Sequence, residues 1–244
     1  MPDRDDILAA LQAQLQTGVK NSAAAEVIPT GSRAFDSALG GGWRRGTLIE
    51  WLGDAGGGAT LLALIAARQA CQAGQKYIVV DQHRRFYPPA AAALGCDLRT
   101  IVVVCPATRQ DLDWALNQTL SCPAIAAVLC WPDQLTDRAF RRWQLAAEKG
   151  RSLGLLVRCP SVIREPSWAD VRLLIQAVCS AGRRRFKVDI LRCRGGVSGQ
   201  SVEVEISEEG LLHDANPVHS ISELAGATPL QRAPPAQTPR RRRV

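Results

Sequence analysis

Gly53-Asp-Ala-Gly-Gly-Gly-Ala-Thr60 restricts this chain more than any other eight residues. The segment has the frame of a phosphate-binding loop, G-x-x-x-x-G-K-[ST], which requires a strand to feed directly into a helix. Gly53, Gly56, Gly57 and Gly58 would let successive backbone N–H groups turn inward around an anion, and the following helix adds the positive end of its dipole. Thr60 keeps a hydroxyl that can face a magnesium ion. Ala59 stands where the loop needs its lysine, and a methyl group can neither bond a phosphate nor offset charge. Taken alone, the eight residues also fit a glycine-rich turn with no ligand.

The surrounding pattern supplies the context that the motif needs. Residues 47–52 form an apolar strand entering the loop, and 60–73 an apolar helix leaving it. Strands are predicted at 77–81, 101–105, 124–131 and 153–158, alternating with helices at 88–94, 111–121 and from a Thr136 cap to about Lys149. Such alternation argues for βαβ units and a mostly parallel sheet flanked by helices. Residues 171–177, 186–193 and 201–206, punctuated by Gly182, Gly195, Gly196 and Gly199, read instead as antiparallel hairpins at the sheet edge. The resulting organisation is an amphipathic N-terminal helix and linker over 1–27, an α/β core over 28–213, and a basic tail without fixed structure over 214–244.

Composition narrows the function classes. Of 244 residues 46% are hydrophobic, enough for a core, yet no apolar run is long enough to span a bilayer, and the polar start is not a secretory signal. The eight cysteines are scattered singly, with no C-x-x-C pair, so they read as buried thiols in a reducing cytoplasm rather than metal ligands. The formal net charge of +7 draws heavily on Arg232 and Arg240 to Arg243. Such a tail attracts nucleic acid or an acidic protein surface, or simply solubilises the chain end.

Residues 28–36 (Ile28-Pro-Thr-Gly-Ser-Arg-Ala-Phe-Asp36), Ala38-Leu-Gly-Gly-Gly-Trp43, Arg45-Gly46 and the glycine loop together resemble the opening of the RecA recombinase core. A narrower resemblance, to the ImuA family of RecA-like and SulA-related bacterial proteins, is carried by Val104-Cys-Pro-Ala-Thr108, Ala127-Val-Leu-Cys-Trp131, Arg141-Arg-Trp-Gln-Leu-Ala-Ala-Glu148 and Leu191-Arg-Cys-Arg-Gly-Gly196. That resemblance implies a RecA-like fold and an accessory role in mutagenic translesion synthesis during the SOS response, alongside an ImuB-type Y-family polymerase homologue and a DnaE-type polymerase. From RecA assemblies it also implies that Arg192 and Arg194 reach a neighbouring subunit's nucleotide, although the same pair suits a solvated basic strand edge.

An active RecA-like ATPase needs two further charges. Cys130 occupies the position of the acid that holds magnesium through water, and a thiol is a poor substitute for a hard cation. Asp133 could replace it only if its loop folds back. Gln82 occupies the position of the water-activating glutamate and cannot accept a proton. Asp81 beside it suits a turn cap. With Ala59, Cys130 and Gln82 all uncharged, the expectation is a degenerate site with no catalytic residue, no metal and no required cofactor; ATP binding without hydrolysis stays open because the loop and Thr60 survive. Arg138, Arg141 and Arg142, on a helix whose Phe140 and Trp143 face the sheet, and Arg183, Arg184 and Arg185 are candidates for partner or weak DNA contacts. Self-association is compatible with this reading. Two rival readings are a DNA-dependent ATPase that borrows a cation from Arg84, Arg85 or a neighbour's Arg194, and a SulA-like inhibitor of cell division.

Overall fold

The structure, a computed structural model, describes residues 26–71, 75–179 and 182–215. The predicted N-terminal helix falls outside them, as does the predicted basic tail apart from Asp214, which ends a strand, and Ala215. The described chain opens with a two-residue bridge between β1 (Val27–Ile28) and β2 (Trp43–Arg44), closed around helix α1 (Arg33–Leu39). It continues through β3 (Leu48–Leu52), α2 (Ala59–Ala70), β4 (Lys76–Val80), α3 (Pro88–Ala93), β5 (Ile101–Val104), α4 (Arg109–Leu120), β6 (Ile125–Cys130), α5 (Asp137–Gly150) and β7 (Leu153–Arg158). Four longer or edge strands follow: β8 (Val171–Val178), β9 (Arg184–Cys193), β10 (Gln200–Ile206) and β11 (Leu212–Asp214).

These strands form a nine-stranded sheet in the order β11-β10-β9-β8-β3-β7-β6-β4-β5. From β8 to β5 all neighbours are parallel, and β9, β10 and β11 close the other side as an antiparallel meander. The predicted mostly parallel α/β architecture with C-terminal antiparallel strands is therefore present. Every residue of β3 is buried, as a central parallel strand requires. At the far edge Val102 and Val103 of β5 are nearly half exposed, because no further strand covers them. No described helix is long and apolar enough to cross a membrane.

Alternation along the strands divides the interior into two layers. Tyr77 and Val79 face α1 and α2 in one core, whereas Ile78 and Val80 face α4 and α5 in the other. Phe140 and Trp143 of α5 are buried in this second layer, as their helical spacing predicts. Local signals set the helix ends. Ser32 caps α1 by accepting the Phe35 amide at 3.1 Å, and Gly40 stops that helix in the left-handed region at φ 76°. Thr108 and Asp111 form a reciprocal capping box at the start of α4.

Three features differ from the sequence reading. The β1–β2 bridge and β11 are too short for periodicity to reveal. β11 is tied back to the start of the core, where the Asp214 carboxylate accepts the Ser32 hydroxyl at 2.5 Å and the Ala34 amide at 3.1 Å. These bonds hold the Asp214 carboxyl below its usual range, the Ser32 hydroxyl contributing most. The cysteines are also not uniformly buried: Cys96, Cys130 and Cys193 are, but Cys105, Cys159 and Cys179 are exposed because each lies in a connection rather than within a strand interior.

A buried ionic cluster lies beneath the β7–β8 connection. Glu50, in the middle of β3 and fully buried, bonds Arg158 at 2.9 Å from β7 and pairs with Arg172 at 2.7 Å from β8. Arg158 also reaches Glu165 at 2.8 Å. Arg172 spends its remaining donors on the carbonyls of Val162, Ile163 and Glu165. These charges occupy the α4–α5 side of the sheet where that helical layer ends. The 3₁₀ turn Pro160–Arg164 and its extended continuation lie over them in place of another helix. Removing one member of such a cluster strands the others without water, at a cost of about 3–5 kcal/mol. Glu50→Gln is thus expected to lower the urea midpoint sharply by that amount of stability, measured by equilibrium denaturation.

Candidate functional site

β3 carries the chain into the glycine loop, and α2 carries it out, so the strand–loop–helix context of the motif is present. Gly53 donates to the Arg158 carbonyl at 3.1 Å, which fixes the loop's first residue to the neighbouring strand β7. Gly56 is at φ 77°, with open space around it. Gly58 is at φ 98°, and a side chain there would come within 2.2 Å of the Phe186 ring from β9. The glycine is therefore required both by conformation and by close packing. The Gly57 N–H turns back onto the Asp54 carbonyl at 2.8 Å, so that amide is used within the loop itself.

A cavity of about 980 Å³ opens at this end of the sheet, large enough for a small ligand. The glycine loop, Ala59 and Thr60 form its floor; Trp131 and Asp133 approach from the β6–α5 loop, and Cys159 and Ser161 from the β7–β8 connection. Arg85, Arg184 and Phe186 complete its walls.

The positions that would serve magnesium and phosphate chemistry are occupied differently. Cys130, at the end of β6, has no exposed surface, and desolvation pushes its thiol far above the usual range, so it stays neutral. The next residue, Trp131, donates its indole N–H to the Thr60 hydroxyl at 3.1 Å. Magnesium needs oxygen ligands at about 2.0–2.1 Å in near-octahedral array. An ion on Thr60 would share the hydroxyl with the indole and would find no carboxylate at Cys130. The residues present do not fit a magnesium-bound nucleotide. Among the described residues no three His, Cys, Asp or Glu side chains gather as a metal site.

The turn after β4 is arranged for structure as much as for access. Asp81 is buried and accepts the Phe86 amide at 2.7 Å, capping the turn. Gln82 is half-buried beside it. His83 and Arg85 instead reach across to the β6–α5 loop, where both meet Asp133, at 2.6 Å and 3.2 Å. Sequence reasoning missed this pairing, since the two loops lie 50 residues apart. Their only signal was a cation cluster following one strand and an acid following another. Asp133 is thus engaged with two partners of its own chain, and Arg85 lines the cavity already paired.

The remaining sequence candidates separate into distinct places. Arg183 and Arg185 fold onto β10, pairing with Glu205 at 3.4 Å and 3.8 Å; Arg185 is 5% exposed, too buried for the DNA contact considered for it. The cross-strand register set opposite Glu205 explains why. Arg184 alone of the three lines the cavity, donating to the Ser207 carbonyl at 2.5 Å. Arg138, Arg141 and Arg142 lie on the exposed side of α5, with Arg142 3.6 Å from Asp113 of α4. Arg192 lies on β9 and Arg194 one residue beyond it, at the end of the sheet away from the glycine loop.

Residues 10–129 match the RecA N-terminal domain family. Protein RecA of Paenarthrobacter aurescens is 38% identical over 121 residues, covering 45% of this chain and 35% of that protein. Protein RecA of Streptomyces coelicolor is 36% identical over 115 residues, covering 43% and 31%. The chain thus spans about a third of the length of these curated relatives. The crystal structure of the RadB recombinase superposes with a TM-score of 0.63 at 18% identity, over 78% of this chain and 100% of that one, a likeness of fold. Sequence and architecture place the chain in the RecA-like superfamily.

Thiol chemistry reports the state of this end of the molecule. Hydrogen bonds from Ser161 hold the exposed Cys159 thiol below its ordinary value, whereas burial raises Cys130. A lowered value means that thiolate, the reactive form, accumulates at lower pH. Iodoacetamide treatment of native protein should modify Cys159 with a pH midpoint below that of N-acetylcysteine. Cys130 should stay unmodified until denaturant is added, as peptide mass spectrometry would show.

Proposed function

We propose that this chain is a non-catalytic RecA-like accessory protein that acts by contact in mutagenic translesion synthesis after DNA damage, in the cytoplasm. Its partners in this reading are an ImuB-type Y-family polymerase homologue and a DnaE-type polymerase. The observation that carries it is the Trp131–Thr60 hydrogen bond beside neutral Cys130. The hydroxyl that would hold magnesium is engaged by the protein, and the lysine position is Ala59.

The magnitude favours this reading over an ATPase. Losing one preorganised electrostatic contact costs about 10²–10³ in rate in working enzymes, and here lysine, metal acid and base are all absent. Arg85, the cation that lines the cavity from the β4 turn, has its charge already offset by Asp133. The segments resembling the ImuA family, spread in order from Val104 to Gly196, supply the translesion role.

ATP turnover with and without single-stranded DNA tests the catalytic half. No hydrolysis is expected from the wild type or from Ala59→Lys, since one restored charge leaves Cys130, Gln82 and Trp131 in place; substantial wild-type turnover would overturn the reading. A pulldown of full-length protein with the ImuB-type homologue tests the other half. Association is expected, and its absence counts against the accessory role.

A further inference from the structure

Arginines far apart in the sequence converge on one short segment, Ser167-Trp-Ala-Asp170, at the end of the β7–β8 connection. Arg141 of α5 lies over the Trp168 ring, 5.7 Å from its centroid, and is held by Gln144 at 2.6 Å. Arg192 of β9 donates to the Ser167 carbonyl at 2.8 Å, and Arg194 pairs with Asp170 at 3.5 Å. The one carboxylate of the segment, Asp170, is nearly buried and already accepts the Leu48 amide and the Gln144 amide group. Three guanidinium groups therefore gather on a four-residue segment whose indole is 43% exposed and whose one carboxylate is already engaged, leaving a surplus of positive charge.

From this convergence we infer that Arg141, Trp168, Arg192 and Arg194 form a docking site for an acidic protein segment. Trp and Arg are the residue types that most often carry interface energy. Here both are exposed yet already in contact with their own chain, which reduces the conformational freedom to be lost on binding. Each guanidinium uses part of its donor fork on its own chain and can present the rest to a carboxylate, the pairing that planar forks suit best. Leu145, 48% exposed and one helical turn beyond Arg141, adds apolar area next to that arginine for an aliphatic side chain.

Single-stranded nucleic acid fits less well. It needs a groove that tracks successive phosphates and an open aromatic face for base stacking. These cations gather on one short segment rather than along a groove, and one face of its indole is covered by Arg141. Docking here is independent of what the glycine-loop end of the molecule does.

The test is fluorescence polarisation of full-length protein with a labelled peptide of alternating glutamate and leucine. Saturable, salt-sensitive binding is expected, weakened at least about tenfold by Arg192→Glu and by Trp168→Ala, a change equivalent to about 1.4 kcal/mol. A matched peptide with glutamine for glutamate should bind at least about tenfold more weakly. Arg194→Glu, whose side chain is 68% exposed, provides a second charge reversal if Arg192→Glu does not fold, judged by circular dichroism melting. Three results would overturn the assignment: no saturable binding, binding unchanged in the folded patch variants (which would place it on the basic tail), or tighter binding of an oligothymidylate that displaces the peptide.

Discussion

The carboxylate of Glu50 sits at the centre of the sheet, and much of the molecule is arranged to keep it from being alone. A lone ionised acid in the middle strand would cost far more than the chain's net stability. Arg158 and Arg172, from the strands on either side, neutralise it. Arg158 lies at the end of β7, where its carbonyl anchors Gly53, so the cluster and the glycine loop share a support. Arg172 bonds three carbonyls of the connecting turn and thereby fixes the chain that would otherwise be a loose crossover.

That same turn separates two ends of the molecule. At the carboxyl ends of the parallel strands it contributes Cys159 and Ser161 to the cavity. At its other end it delivers Trp168 and Asp170 to the arginines of α5 and β9. A short, pinned connection cannot act as a long mobile loop, which agrees with its low glycine content. Arg141 over the ring and Arg192 on the Ser167 carbonyl brace the exposed indole at that end.

Most of the fold was legible in the sequence because it is built from strong periodic signals. The runs Tyr77-Ile-Val-Val80 and Leu153-Gly-Leu-Leu-Val157 could only be buried strands, and Thr136 marks a helix start that the structure keeps. The uncharged residues Ala59, Cys130 and Gln82 were readable as single letters. What occupies the space around them was not. The Trp131–Thr60 bond joins residues 71 positions apart, and the His83–Asp133 pair joins two loops; neither leaves a local pattern. Arg183 to Arg185 looked like one basic run, but strand alternation and the facing glutamates of β10 split them. Periodicity reports which way a side chain points, and only packing decides whom it meets.

The bond between Ser32 and Asp214 also bears on how the chain is made. It closes a loop of 182 positions, joining the beginning of the described core to its last strand. Contacts that distant form slowly, because the chain must lose much of its freedom before the contact returns anything. During synthesis α1 can form and be capped by Ser32 soon after it emerges, but its outer brace is missing until β11 has left the ribosome. The sheet edge formed by β10 stays open over the same interval. Completion of the described core is therefore timed by its last described strand, and a chain ending before Asp214 would lack the carboxylate that braces the start of α1.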